Sequence, residues 1–155
     1  MTYLFKIASL FAILFFVSCN KEEDASAQAA ADDAIIQEYI NDHGLNATAT
    51  GSGLYVVIDN PGFGASCNEN SDVKVAYTGY FTDGINFDQS PASGITFNLQ
   101  GVIRGWTEGI PHFNEGGSGT LLIPSALGYG TSGSASGSIP PNTVLVFDVE
   151  LIDVL

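Results

Sequence analysis

The feature that most limits how this chain can fold is the stretch Gly101-Val102-Ile103-Arg104-Gly105-Trp106, a short apolar run that ends on the only tryptophan. Strand-like segments flank it, Ile95 to Leu99 before and Thr120 to Ile123 after. The glycines allow close backbone approach on both sides. Before the run stand Tyr77-Thr78-Gly79 and Asp83-Gly84 with Phe87-Asp88. After it come Tyr129-Gly130, Ile139-Pro140-Pro141 and the closing strand Val144 to Leu151. Gathered in space, these scattered aromatic and aliphatic side chains would line one small apolar pocket floored by Trp106.

Strands and turns dominate the rest. Leu54 to Ile58 is a strand-forming run between Ser52-Gly53 and Asn60-Pro61-Gly62. In Val73 to Phe81 a period of two puts Val73, Val75 and Tyr77 on one side of the pleat, so Tyr77 shares the core face with the valines. Thr82-Asp83-Gly84 turns the chain, and Asn86-Phe87-Asp88 starts the return. One helix is expected ahead of the strands, where Ile35, Ile36, Tyr39 and Ile40 share a face behind Asp32-Asp33, and Gly44 caps the end. About three turns is too short to stand alone, so this helix must dock.

Charge excludes some functions. The formal balance is −13, with four Lys and Arg against seventeen Asp and Glu, and such a surface repels phosphate backbones. Nucleic acid is therefore not an expected partner. His43 and His112 read as surface side chains, and without a cysteine cluster no metal site is expected.

The first residues carry an address. Lys6 precedes the apolar run Ile7 to Val17, whose eleven residues fall short of the roughly twenty a membrane-spanning helix needs. A secretory signal fits better. The ending Phe16-Val17-Ser18-Cys19 resembles the lipobox of bacterial lipoproteins, in which the cysteine is lipidated and becomes the new N-terminus; a plain signal peptide with an incidental Cys19 is the other reading. Residues 19–31 are polar and small, with too little apolar surface to pack, and are expected to form an acidic tether. Lys21-Glu22-Glu23 also resembles the short acidic signal that sends some lipoproteins to the outer face of the outer membrane, while a solvated linker explains it as well. The expected location is the bacterial cell envelope. With Cys19 committed to lipid, Cys67 has no partner and is expected to be a quiet, partly buried thiol.

In order along the chain, Tyr77-Thr78-Gly79, Asp83-Gly84 with Phe87-Asp88, Val102 to Trp106, Gly128-Tyr129-Gly130, Ile139-Pro140-Pro141 and Val146 to Leu151 resemble an FKBP-type peptidyl-prolyl cis-trans isomerase. The resemblance runs over residues 51–155, after the signal (1–18), the tether (19–31) and a short helix with connector (32–50). It implies an α+β fold: a twisted antiparallel β-sheet, a half-barrel, wrapped around one short α-helix, with an extra short N-terminal helix. The wrapped helix would begin near Arg104 and carry Trp106 at its start. Pro111 departs from the usual pattern, because proline removes a hydrogen bond and clashes with the preceding turn, so that helix should be short or kinked there.

By the same resemblance Tyr77, Phe87, Val102, Ile103, Trp106, Tyr129, Ile139 and Phe147 make a proline pocket, with Asp88 at its rim beside the tyrosine wall. The Ile103 amide and the Tyr129 hydroxyl would bond to carbonyls of the bound peptide. Ile95 would stand at the substrate-binding rim, where many members carry an aromatic. Plain core packing is the competing role for Trp106, Phe87 and Phe147, and a structural carboxylate for Asp88. The implied partners are proline-containing polypeptides and FK506-like macrolides; no cofactor is implied. A long helical dimerisation arm found in some relatives is missing from this reading, so a monomer is expected.

Such a pocket needs no nucleophile, proton shuttle or metal. Resonance keeps the Xaa-Pro bond planar behind a barrier of about 18–20 kcal/mol. At the twisted transition state the carbonyl oxygen gives up negative charge and the nitrogen becomes a pyramidal amine, a less dipolar state that a dry apolar wall favours over the planar one. Departures from the family pattern fall at the rim: Ile95, Ser138 in place of a second isoleucine, and the Gly/Ser-rich loop Thr131 to Ser138, which lacks an aromatic cover and is expected to be flexible. A non-catalytic proline-peptide-binding or chaperone module is the alternative. Chaperone-type members often insert a domain into that loop, and its shortness here favours the isomerase.

Overall fold

The computed structural model describes residues 21–155. The expected signal peptide and the lipidation site Cys19 lie outside the described residues. Seven antiparallel strands form one sheet: β1 (Ala47–Ala49), β2 (Tyr55–Asn60), β3 (Asp72–Tyr80), β4 (Asn86–Gln89), β5 (Ile95–Asn98), β6 (Gly117–Ile123) and β7 (Leu145–Val154). Their spatial order is β1-β2-β6-β7-β3-β4, and β5 also pairs with β3. The long strand β3 therefore carries β7 along one edge and β4 and β5 in succession along the other. The connector before β2, which shows no strand pattern in the sequence, supplies the three-residue edge strand β1.

Two helices cover the two faces of the sheet. Helix α2 (Arg104–Gly109) lies on the concave face, where Trp106, Ile110 and Phe113 pack with Val56, Val75, Leu121, Ile123, Leu145, Phe147, Val149 and Leu151. Proline acts as expected: α2 ends at Gly109, and Ile110–His112 continues as one tight 3-10 turn that accommodates Pro111. Gly105 lets α2 press onto β6, since a Cβ there would lie 2.5 Å from Ile123 Cγ2. Glu108 fastens the same helix to the segment before β2, accepting from the Thr50 and Ser52 hydroxyls at 2.6 Å each.

Helix α1 (Lys21–His43) covers the opposite face. Alternation along the strands serves both layers: in β6 Leu121 and Ile123 face α2 while Leu122 faces α1, and in β7 Leu145 and Phe147 face α2 while Val146 faces α1. Ile36 is fully buried there, with Tyr39 and Ile40 half-buried beside it. The Tyr55 hydroxyl adds a clasp, donating to Asp33 Oδ1 at 2.7 Å and accepting from Gln37 Nε2 at 2.8 Å.

The tether expected over residues 19–31 is helical from Lys21 onward, its first two residues lying outside the described residues, and α1 has 23 residues rather than three turns. The physical reason is propensity. Ala25, Ala27, Ala29, Ala30 and Ala31 lose almost no side-chain entropy in a helix, and Glu22, Glu23 and Asp24 sit at its positive end. Lack of apolar surface forbids packing but not a helix that is propagated from a docked C-terminal half. The greater length also removes the short-helix argument for a monomer.

Candidate active site

The site begins with register. Gly79 of β3 pairs with Asp88 on one side and with Phe147 on the other, so β4 and β7 bring their aromatic residues to the same level. Glycine is required there: a Cβ would lie 2.6 Å from the Phe147 ring and 2.8 Å from the Phe87 ring. Tyr77, two residues earlier on the same face, adds a third ring. Phe97 comes from β5, and the turn Gly101–Ile103 leads into α2 and Trp106. Tyr129 stands between the 3-10 turns Ser125–Leu127 and Gly130–Ser132, and Ser134, Ser136, Ser138 and Ile139 close the ring.

These residues enclose a cavity of about 740 Å³. Trp106 is its floor and is 4% exposed. Three rings meet the indole nearly edge to face: Tyr77 at 5.0 Å and 88°, Phe147 at 5.4 Å and 85°, and Phe97 at 5.5 Å and 77°. Phe87 meets Phe147 in the same way, at 5.4 Å and 86°. The indole Nε1 is buried and has no hydrogen-bond partner among the described residues. This floor therefore offers a bound molecule shape and apolar surface rather than a directed polar contact.

Polar groups stand at the rim. Asp88 accepts from the Tyr77 hydroxyl through Oδ2 at 2.8 Å and from the Gln89 amide through Oδ1 at 2.9 Å. The carboxylate thus holds Tyr77 in place. Burial, and then the Asp88 hydrogen bond and charge with a smaller contribution from Tyr129, push the Tyr77 phenol up to about 12. Tyr77 stays protonated in neutral solution and acts as a fixed donor. The Gly/Ser-rich loop is braced internally: the Ser136 and Ser138 hydroxyls lie 2.8 Å apart, and the Ile139 amide donates to Ser134 Oγ at 2.9 Å. Among the described residues, no His, Cys or Lys lines the cavity.

The structure brings Tyr77, Phe87, Asp88, Val102, Ile103, Trp106, Tyr129, Ile139 and Phe147 to this one cavity. Ile95 is 38% exposed and is not among the lining residues; Phe97, two residues on along the same strand face, meets Trp106 and lines the cavity. Period-two spacing from Ile95 was the signal that could have found Phe97. The serine hydroxyls were also missed, because nothing in a Gly/Ser-rich string says which way it folds. Away from the cavity, His43 stacks on Tyr39 at 3.9 Å, and burial raises the pKa of the free Cys67 thiol.

An antiparallel sheet packed on a short helix, with a tryptophan-floored hollow of about 740 Å³ at the helix start, defines a binding fold built around that hollow. Residues 64–152, more than half of the chain, match the family model of the FKBP-type peptidyl-prolyl cis-trans isomerase, and the chain belongs to this family. The FKBP-type peptidyl-prolyl cis-trans isomerase FkpA of Escherichia coli K12 is 39% identical over 135 residues, 86% of this chain and 48% of that protein. A probable FKBP-type isomerase of Haemophilus influenzae is 39% identical over 151 residues, 96% of this chain and 61% of that protein. The crystal structure of a peptidyl-prolyl cis-trans isomerase from Pseudomonas syringae superposes with a TM-score of 0.72 at 33% identity, covering 83% of this chain and 94% of that one. The chain spans about half the length of the E. coli relative.

Proposed function

We propose that this chain catalyses cis-trans rotation of Xaa-Pro bonds in polypeptides. The observation that carries the proposal is the Trp106 floor walled by Tyr77, Phe97 and Phe147 within one cavity of an FKBP-type domain. The proline ring sits over the indole. The Ile103 amide and the Tyr129 hydroxyl hold the peptide carbonyls on either side, which fixes the chain while the imide turns. Excluding water from the ring's surroundings removes the solvation that favours the planar, dipolar amide. Each tenfold of acceleration needs about 1.4 kcal/mol of such differential binding.

The pocket residues of a single chain are enough for this chemistry, and we take the working unit to be a monomer. FK506-like macrolides fit the same floor, with weaker hold at a rim that carries serines where an aromatic cover is absent. Lipidation at Cys19 would tether the enzyme to the outer membrane of the cell envelope, where exported proteins are its clients. Labelling with radioactive palmitate should be lost in Cys19→Ala; label that persists would remove this part. Protease treatment of intact cells releases the domain only if the anchor faces outward.

Exchange NMR on an Ala-Leu-Pro-Phe peptide tests the activity. Catalytic amounts of protein should broaden the cis and trans signals, and Trp106→Ala and Tyr129→Phe should reduce that effect. Equal exchange with and without protein leaves a proline-binding module that does not turn over.

A further inference from the structure

Asp32 lies outside the cavity, in α1, and is 1% exposed. Its Oδ2 accepts from the Ser125 amide at 2.8 Å and from the Ser125 hydroxyl at 2.6 Å, and its Oδ1 accepts from Gln28 Nε2 at 2.7 Å. A carboxylate withdrawn from water is costly unless other donors replace the water. Two of the three donors here belong to a residue 93 positions away. Mere attachment of the helix does not need this, because Tyr55 already clasps Asp33 and the Ile36 face is buried.

Ser125 opens the tight turn Ser125–Leu127, and Pro124 before it supplies no side-chain cap. Asp32 is the cap, delivered from another element. The turn leads directly into Gly128 (φ −104°, ψ −115°) and Tyr129 (φ −102°, ψ 1°). Neither residue continues a helix or a strand, so no ladder holds this corner. Its fastenings are the turn bonds from Leu127 and Gly128, at 3.0 Å each, the buried Leu127, Asp32 and, just past Tyr129, the Asn142 amide donating to the Gly130 carbonyl at 2.8 Å. Tyr129 at the end of the corner is 39% exposed at the mouth of the cavity.

We infer that Asp32 is a positioning residue for the proline site: it caps the Ser125 turn and so holds Tyr129 where its hydroxyl meets the bound peptide. The inference rests on the proposed isomerase reading for its kinetic consequence, though not for its structural one. The pocket depends on α1 being docked at Asp32, while Glu22 to Ala27 of the same helix stand exposed. Loss of the cap lowers the fraction of molecules with a competent corner, and apparent affinity falls by that fraction.

The test compares Asp32→Ala, Asp32→Asn and Tyr55→Phe with the wild type. Peptide affinity is read from the fluorescence of the single tryptophan, KM and kcat from exchange NMR, and the corner from the Gly128 amide and Tyr129 ring resonances. Asp32→Ala should weaken binding and raise KM by up to about fivefold, the ceiling that about 1 kcal/mol of lost capping sets, with kcat little changed. The Gly128 and Tyr129 resonances should move. Asp32→Asn, which keeps one acceptor oxygen for Ser125, should fall between. Tyr55→Phe removes the surface clasp on Asp33 while the buried Ile36 face keeps α1 docked and Asp32 on Ser125, and should leave affinity and those resonances unchanged.

Folded Asp32 variants with wild-type affinity and unmoved Tyr129 signals would overturn the inference. So would a Tyr55→Phe variant that weakens binding as much as Asp32→Ala. Should Asp32→Ala not fold, Asp32→Asn and Ser125→Ala decide the matter on the same readouts. A wild type that fails to accelerate exchange refutes the isomerase reading alone, and the fluorescence and resonance measurements still judge Asp32.

Discussion

Replacing Gly79 with alanine puts one methyl group where two pocket rings meet. The added Cβ would lie 2.6 Å from Phe147 Cε1 and 2.8 Å from Phe87 Cε2, so each ring must retreat by most of an ångström to reach ordinary contact at 3.4 Å. Both rings line the cavity, and their retreat reshapes it. Overpacking of this kind costs about 1–3 kcal/mol. The reduced freedom of the unfolded chain returns about 0.4–1 kcal/mol, because Gly79 is a strand residue without a positive φ. The net loss is about 1–2 kcal/mol, which lowers a urea midpoint by about 1 M at the slopes usual for small domains. Displacing a wall by about 1 Å should also cut kcat/KM by about 10- to 100-fold. Urea unfolding followed by tryptophan fluorescence and exchange NMR on a proline peptide measure the two effects. A Gly79→Ala protein that is less stable yet turns over normally would show that these rings are core and not pocket. One with both properties unchanged would refute the packing argument itself.

Trp106→Ala should destabilise the domain by about 3–5 kcal/mol and abolish catalysis, while Trp106→Phe should stay folded with reduced turnover, as measured by denaturation and exchange NMR. Tyr77 makes stability fall in alkali: its folded pKa, about 12, lies above the ordinary phenol value of 10.0, so the fold holds a proton that the unfolded chain releases. That contribution is present below pH 10 and is lost as pH rises toward 12, and Tyr77→Phe should remove it from a stability profile read beside phenolate absorbance. The acidic surface should make a peptide with Glu before proline bind more weakly than one with Lys at low salt. The gap should close above physiological ionic strength, where the screening length is about 8 Å; a gap indifferent to salt would place the preference in the pocket wall.

Much of the site was legible because its parts are local. Tyr77 shares a pleat face with Val73 and Val75 by a short-range pattern, while the helix start at Trp106 and the place of Phe147 followed from the resemblance to the family; the structure has Tyr77 in β3, Trp106 in α2 and Phe147 in β7. Strand period names a face and not a position along it, so which of Ile95 and Phe97 meets Trp106 is decided by the tertiary packing, where the Phe97 ring lies 5.5 Å from the indole. The first half of α1 has no apolar face to mark it as a helix, and its alanines carry it only because the second half docks.

Residue order alone determined the strand faces, the glycine positions and the aromatic set, since sterics and alternation act within a few residues. Contacts far apart in sequence had to be decided by the tertiary structure. Gly79 becomes indispensable only when β4 and β7 flank it, and Asp32 becomes a cap for Ser125 only when α1 docks. Nothing local distinguishes that aspartate from its neighbour Asp33: one is buried beneath the helix and the other clasps a tyrosine at the surface, because a helix turns about 100° per residue and the packed sheet decides which side is inside.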